Sequence, residues 1–273
     1  GRPYEGFLRV RAAGPAVIIA SLRAADGAVL AEQALQVAGG PEFQRLEFTL
    51  VPRSNAWNGR FAITLRAPAS VTLGYAFLQP GEWNRYKGLP IRRDLAQALL
   101  DQGIQLLRLN GGMIEVPGYR WKTLHGPRDR RPPYNGFYDR YCSSGFGPVE
   151  HLAFCRAAGL VGVVGLNKDE SPEDVADFVA YCNAAAGTPA GDRRATDGHP
   201  EPLGLRYYQV GNESGVNAAY VEHFKRVAEA VWAVDPEVTL LPCGLTYGAK
   251  ADDDPKAMRK KYAAHLDLTR FVQ

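Results

Sequence analysis

YYQVGNESG, residues 207–215, is the stretch on which the reading of this chain turns. A β-prone run stops at Gly211-Asn212-Glu213 and gives way at once to a helical pattern, AAYVEHFKRVAEAVWAVD, from Ala218. A carboxylate at the end of a strand, with an amide beside it, costs free energy to half-bury. Either the group solves a local turn problem or it faces a ligand. Asn217 as N-cap, with Ser214 or Asn212 fixing the turn, accounts for the Asn and the Ser. Glu213 is left without a local role.

Working outward, the same alternation recurs on both sides. RRDLAQALLDQG places Leu95, Ala98 and Leu99 on one helical face before a glycine stop, and IQLLRLNGG follows as a strand. A short irregular strand is expected within WKTLHGP. Then GPVEHLAFCRAAG reads as a helix feeding the strand LVGVVGLN. In SPEDVADFVAYCNAAAG, Ser171 is the expected N-cap, Pro172 takes the first helical position and acids fill the first turn. LGLRYYQVGNE and PEVTLLPCG are strands around the helix from Ala218. Near-continuous apolar strands alternating with helices predict a parallel sheet covered on both faces. Several of these strands end in polar residues: Arg108 and Asn110, Asn167 to Glu170, Asn212 and Glu213. Such ends converge on one pocket in a (β/α)8 TIM barrel, whereas an open sheet gathers ligands at one switch point. No GxGxxG or GxxxxGK[ST] follows any strand, so no dinucleotide, phosphate or other cofactor is expected.

Residues 1 to about 80 have a different period. FLRVRA, AVIIASLRA, LAEQALQV, FQRLEFTLV, GRFAITLRA and SVTLGYAFL each read as a strand, separated by AADG, AGGPE and PRSNAWNG. Leu46, Phe48 and Leu50 point one way, and Arg45, Glu47 and Thr49 the other. The expected fold class is therefore mixed: an N-terminal antiparallel β-sandwich, jelly-roll-like, over 1–82, followed by an incomplete barrel over 83–273. The first domain reads as a structural accessory of carbohydrate-binding-module type, with Trp57 or Trp83 the rings that could stack a sugar.

Bulk properties exclude other classes. Among 273 residues, 46% are hydrophobic and 22% charged, with a net charge of +3. That charge is too small and dispersed for nucleic acid; the one dense run, GPRDRRPPY, is broken by Asp129 and prolines. No apolar run approaches the ~18 residues of a membrane helix. The cysteines at 142, 155, 182 and 243 have no ligand spacing, the five histidines form no HExxH pair, and no metal is expected. Cys155 and Cys182 read as small core residues. The chain starts at Gly1 on the verge of a strand and is expected to begin inside a longer polypeptide. It shows no signal peptide. The compartment stays open between cytoplasmic and secreted, with unpaired cysteines leaning towards a reducing interior. Oligomeric state is open too, a homo-oligomer included.

The chemical reading of Glu213 is glycosidic bond cleavage. That reaction needs one carboxylic acid to protonate the leaving oxygen and a second carboxylate as nucleophile or base. Burial and a nearby like charge hold such an acid protonated at neutral pH. At this point the chain resembles glycoside hydrolase family 51, the α-L-arabinofuranosidases of the retaining (β/α)8 clan. VGNE resembles the clan's fourth-strand signature. YEGFLRVRA, LGYAFLQPGEW, GLPIRRDLAQALLDQGIQLLRLNGG, YRWKTLHGPRDRRPPY and DGHPEPLGLRYYQVGNE follow in the family's order.

The resemblance implies an exo-acting glycosidase of L-arabinose-containing plant glycans. Glu213 would be the general acid/base, Asn212 the amide on the substrate 2-hydroxyl, and Arg108 the arginine that organises the pocket. Trp121 would support the wall, Phe137 or Tyr138 would supply an aromatic face, and Asn110 and Asn167 would be further contacts. The family usually has Arg-Phe-Pro-Gly-Gly where this chain has Arg108-Leu109-Asn110-Gly111-Gly112, and Met113 stands at a commonly polar position. Asp169 and Glu170 could compensate, but read as a solvated loop leading to Ser171.

The clan's nucleophile is a Glu at the end of the seventh strand, and only about five of eight strands are read here. Glu222, Glu229, Asp235, Glu237, Asp252 to Asp254 and Asp267 end no convincing strand. The nucleophile is therefore expected outside this chain, which is expected to be inactive alone. The alternative is a non-catalytic carbohydrate-binding or scaffold protein that keeps the glycosidase fold.

Overall fold

The computed structural model describes residues 1–213 and 217–243. Ser214, Asp252 to Asp254 and Asp267 lie outside the described residues. The chain forms two compact units, the first Gly1–Gly103 and the second beginning at Ile104.

All six strands read in the first unit are present: β1 (Tyr4–Ala12), β2 (Ala16–Arg23), β3 (Val29–Val37), β4 (Gly40–Leu50), β5 (Arg60–Leu65) and β6 (Val71–Pro80). They make two antiparallel sheets, ordered β4-β1-β6 and β3-β2-β5. Leu8, Val10, Phe48 and Leu50 from one sheet share a single buried cluster with Ile18, Ala20, Leu35 and Val37 from the other. Period-two alternation requires this, because each strand can bury only every second residue. The helix α1 (Arg93–Leu100) closes the unit, with Asn84 bonded to Asp94 and Arg93 to the Trp83 carbonyl. Its inward face is not the expected one. Ala96 is buried, while Leu95 is 57% exposed. Trp57 and Trp83 both line a cavity of about 1020 Å³ in this unit. Trp57 stands in solvent, whereas Trp83 donates its indole N–H to the Pro3 carbonyl.

The second unit holds four parallel strands, β7 (Leu106–Leu109), β8 (Val161–Leu166), β9 (Tyr207–Val210) and β10 (Thr239–Pro242), in the order β10-β9-β8-β7. Helices α2 (Pro148–Ala158), α3 (Pro172–Asn183), α4 (Pro189–Thr196) and α5 (Ala218–Val234) lie between them in sequence. Ser171 accepts from the Asp174 amide and Asn217 from the Tyr220 amide, as the capping pattern predicts. Val164, Leu166, Tyr208, Val210 and Leu240 pack with Val175, Phe178, Phe224 and Val231 in one core. Cys155 and Cys182 are buried within the unit.

One expectation fails here, and one element was not foreseen. WKTLHGP holds a 3-10 turn, Trp121–Thr123, and no strand, so four parallel strands are described and not five. Its first residue is pulled inwards by the hydrophobic drive on a whole indole ring, which overrides the local β pattern. The helix α4 was not read from the sequence, because PAGDRRAT has little apolar periodicity. Arg194 holds it in place: the fully buried guanidinium donates to the carbonyls of Tyr181, Ala184, His199 and Pro200. No described helix is long and apolar enough to cross a membrane.

Candidate functional site

The parallel direction of β7 to β10 brings their carboxyl ends to one edge, where residues distant in sequence meet. On β9, Tyr208 and Val210 are buried against the helices, so Tyr207 and Gln209 project from the opposite face. On that face Arg108 donates through Nε to Gln209 Oε1 (2.7 Å) and through Nη2 to Asn212 Oδ1 (3.0 Å). Asn110 donates to the same Gln209 oxygen (3.1 Å) and to the Gly211 carbonyl (3.2 Å). The strand between them, β8, is crossed by these side chains. Gly165, in register with Gln209, makes the crossing possible. A methyl group there would stand 2.6 Å from Asn110 Cγ and closer still to its amide nitrogen.

Beyond β9 the backbone turns sharply. Gly211 has φ +80°, a conformation glycine adopts freely, but Glu213 has φ +43°. A non-glycine residue in the left-handed region costs roughly 1–3 kcal/mol, and such strain is typical of functional turns. Asn212 is only 3% exposed and takes the burial in this turn, while Glu213 is exposed. The expectation of a half-buried carboxylate at the strand end therefore falls on its neighbour. At this left-handed step the carboxylate stands outside the packed layer.

A second carboxylate belongs to this neighbourhood. Glu115 ends the 3-10 turn Gly112–Glu115, directly after β7. Burial raises its pKa above the ordinary value of 4.5; the negative charge of Glu213 adds to the rise and Lys168 opposes it. Glu170, buried behind the loop, is also raised, again by burial first, against the lowering effect of the Trp121 N–H that it accepts at 2.9 Å. It is thus no part of a solvated loop. Asp169 is exposed and pairs with Lys168.

The other residues singled out in the sequence divide clearly. Asn167 is 1% exposed with both amide ends engaged, donating to the Val116 carbonyl and accepting from the Asp169 amide. It clamps two loops and offers no free polar atom to a ligand. Trp121 is 1% exposed, enclosed by Phe178, Tyr181 and His125 with Arg193 over its ring, so no face is open to a sugar. Tyr138 is 82% exposed and packs edge-on against Phe137. Both rings stand over Gly112, where an added methyl would lie 3.2 Å from Phe137 and 3.3 Å from the Tyr138 hydroxyl. Met113 packs on the small cluster of Ile114, Tyr119 and Leu124. Gln209 and Glu115 were not picked out from the sequence. A lone polar residue within the apolar run YYQV, and an acid in the loop after β7, were the available signals.

The second unit is an α/β sheet with helices between its strands, and polar side chains gather at its carboxyl edge, where folds of this class place their ligands. A family model described as "Alpha-L-arabinofuranosidase 1 domain" matches residues 98–268, and the chain belongs to this family. It is 26% identical over 274 residues to an extracellular exo-alpha-L-arabinofuranosidase of Streptomyces chartreusis, covering 88% of this chain and 33% of that protein. It is 30% identical over 168 residues to an intracellular exo-alpha-(1->5)-L-arabinofuranosidase of Streptomyces lividans, covering 56% and 25%. The chain thus spans about a third or less of the length of these curated relatives. Among solved structures, the arabinose-bound MgGH51 α-L-arabinofuranosidase superposes with a TM-score of 0.76 at 21% identity, over 92% of this chain and 45% of that one. At that identity the likeness is one of fold.

Proposed function

We propose that this chain is part of a retaining, exo-acting α-L-arabinofuranosidase of plant-type glycans, with Glu213 as general acid/base. The observation that carries the reading is the junction at the end of β9: Glu213 in a left-handed turn, beside a buried Asn212 held by Arg108 from β7. Strain and a preset amide are what a site needs to present a carboxyl group and orient a sugar before reaction. Asn212 would meet the sugar 2-hydroxyl, a contact that strengthens as the oxocarbenium-like state forms. Tyr138 and Phe137 would supply the exposed aromatic wall. The nucleophile belongs on a strand beyond the four described, ~5–5.5 Å from Glu213 as retention requires. The two antiparallel sheets would form a jelly-roll-like accessory domain over 1–82, and residues 83–273 the first part of a (β/α)8 barrel.

The second reading, a sugar-binding protein without catalysis, is favoured by Met113, which presents no polar group where recognition of a furanose ring would want one. The full-length protein, assayed on aryl α-L-arabinofuranosides, separates the two. Catalysis that falls in Glu213→Ala and recovers in part with a leaving group needing no proton supports the acid/base role. Full-length protein that binds arabinofuranosides but turns none over supports the second reading; neither binding nor turnover across furanosides and pyranosides sinks both.

A further inference from the structure

We infer that Gln209 is a positioning residue of the site, and that Asn110 and Gly165 exist to hold it. The inference rests on the proposed glycosidase reading for its effect on reaction, but on geometry alone for the lattice. Arg108 can only donate, so the atom it meets at 2.7 Å must be the Gln209 oxygen, which settles the orientation of that amide. The same oxygen takes a second donor, Asn110 Nδ2, at 3.1 Å. Two donors, one from β7 and one from the residue just after it, therefore converge on one acceptor from β9, across a strand that contributes no side chain there. Arg108 is a long side chain on the open face of the sheet, and its free rotamers would cost it most of any preset geometry. With Nε fixed by Gln209, its Nη2 is left in the plane that meets Asn212. The guanidinium fork thus converts the Gln209 contact into the orientation of Asn212.

Asn110 has no remaining freedom for a ligand. Its nitrogen serves Gln209 and the Gly211 carbonyl, and its oxygen accepts the Gly111 amide at 2.7 Å. It ties the loop after β7 to the turn after β9, and so acts on the site through Gln209 and Gly211. Gly165 is the third member: any side chain on it would evict the Asn110 amide.

The test uses Gln209→Glu, which keeps the acceptor, and Gln209→Met, which keeps the volume and removes it. In the full-length protein Gln209→Met is expected to lower kcat/KM roughly 10–100-fold, as misorientation of a substrate-facing group does. That loss should persist with activated leaving groups, unlike the loss in Glu213→Ala, because proton donation is intact. Gln209→Glu should recover activity to within about threefold of wild type. The Arg108 Nε–H resonance in 15N NMR gives a readout free of activity: shifted and slowly exchanging in wild type and Gln209→Glu, ordinary in Gln209→Met. Wild-type activity in Gln209→Met, equal impairment in both variants, or an ordinary Arg108 resonance in wild type would overturn the inference. An inert wild type with a protected Arg108 resonance would instead sink the arabinofuranosidase reading and leave the lattice standing.

Discussion

Gly6 in β1 and Gly165 in β8 are both glycines in an interior strand of a sheet, and both leave room that a neighbour fills. At Gly6 the room is taken by apolar and backbone atoms. A methyl there would stand 2.7 Å from Phe48 Cε2 and closer still to the Phe77 carbonyl oxygen. At Gly165 it is taken by the Asn110 amide on its way to Gln209. The first glycine serves packing, the second a polar crossing between strands. The neighbours also differ in how far they can yield. A carbonyl within a paired strand cannot move without the ladder, whereas the amide end of Asn110 can swing away. Change at Gly6 should therefore appear as lost stability, and change at Gly165 as lost organisation of the site.

The largest effect is expected from Gly6→Ala, which overpacks a core and should cost about 1–3 kcal/mol in denaturant unfolding. Its effect on ligand binding by the folded protein should be negligible. A binding defect at full occupancy of the folded state would break the comparison. Next, Gly165→Ala should cost less than about 1 kcal/mol of stability, because a flexible side chain gives way, yet reduce kcat/KM of the full-length protein about tenfold. Adding Asn110→Ala should recover the stability and none of the activity. A cycle in which the two changes add independently would show that they do not share one space.

Smaller effects probe the two carboxylates whose pKa is raised by burial, Glu170 and Glu115. Glu170 is raised by burial, so its contribution to stability is full below the unfolded value of about 4.5 and is lost as pH rises through the higher folded value. Glu170→Gln keeps an oxygen for the Trp121 N–H and removes the charge. It should match wild type in acid and exceed it slightly at neutral pH; thermal melts across pH would show the gap opening upwards, and a gap opening towards acid would refute the assignment. Smallest of all, Glu213→Gln should lower the pKa of Glu115 by removing one of the two influences that raise it. Carboxyl-selective NMR titration reads this directly, and an unmoved Glu115 would mean that the two groups are electrostatically separate.

Much of the architecture was legible because it depends on local rules. Period-two alternation placed β1 to β6, and the caps at Ser171 and Asn217 placed α3 and α5. Less legible was anything that depends on which polar atom meets which. Asn110 and Asn167 both carry amides just past strand ends, and only packing shows that their nitrogen and oxygen atoms are already engaged within the protein. Leu95 misled for the related reason that a short helix at a unit's edge need not bury every apolar residue on one arc.

What the sequence determined by itself is the six strands of the first unit, the parallel character of the second sheet and the junction Gly211-Asn212-Glu213, because hydrophobic period and capping chemistry act within a few residues. Tertiary structure alone decided that Glu213 adopts φ +43° in an exposed turn, that Glu115 feels its charge, and that Arg108, Asn110 and Gln209 share one oxygen. Arg108 and Gln209 lie 101 positions apart in the chain. No local pattern spans that distance; strand register and the absent side chain of Gly165 bring them together.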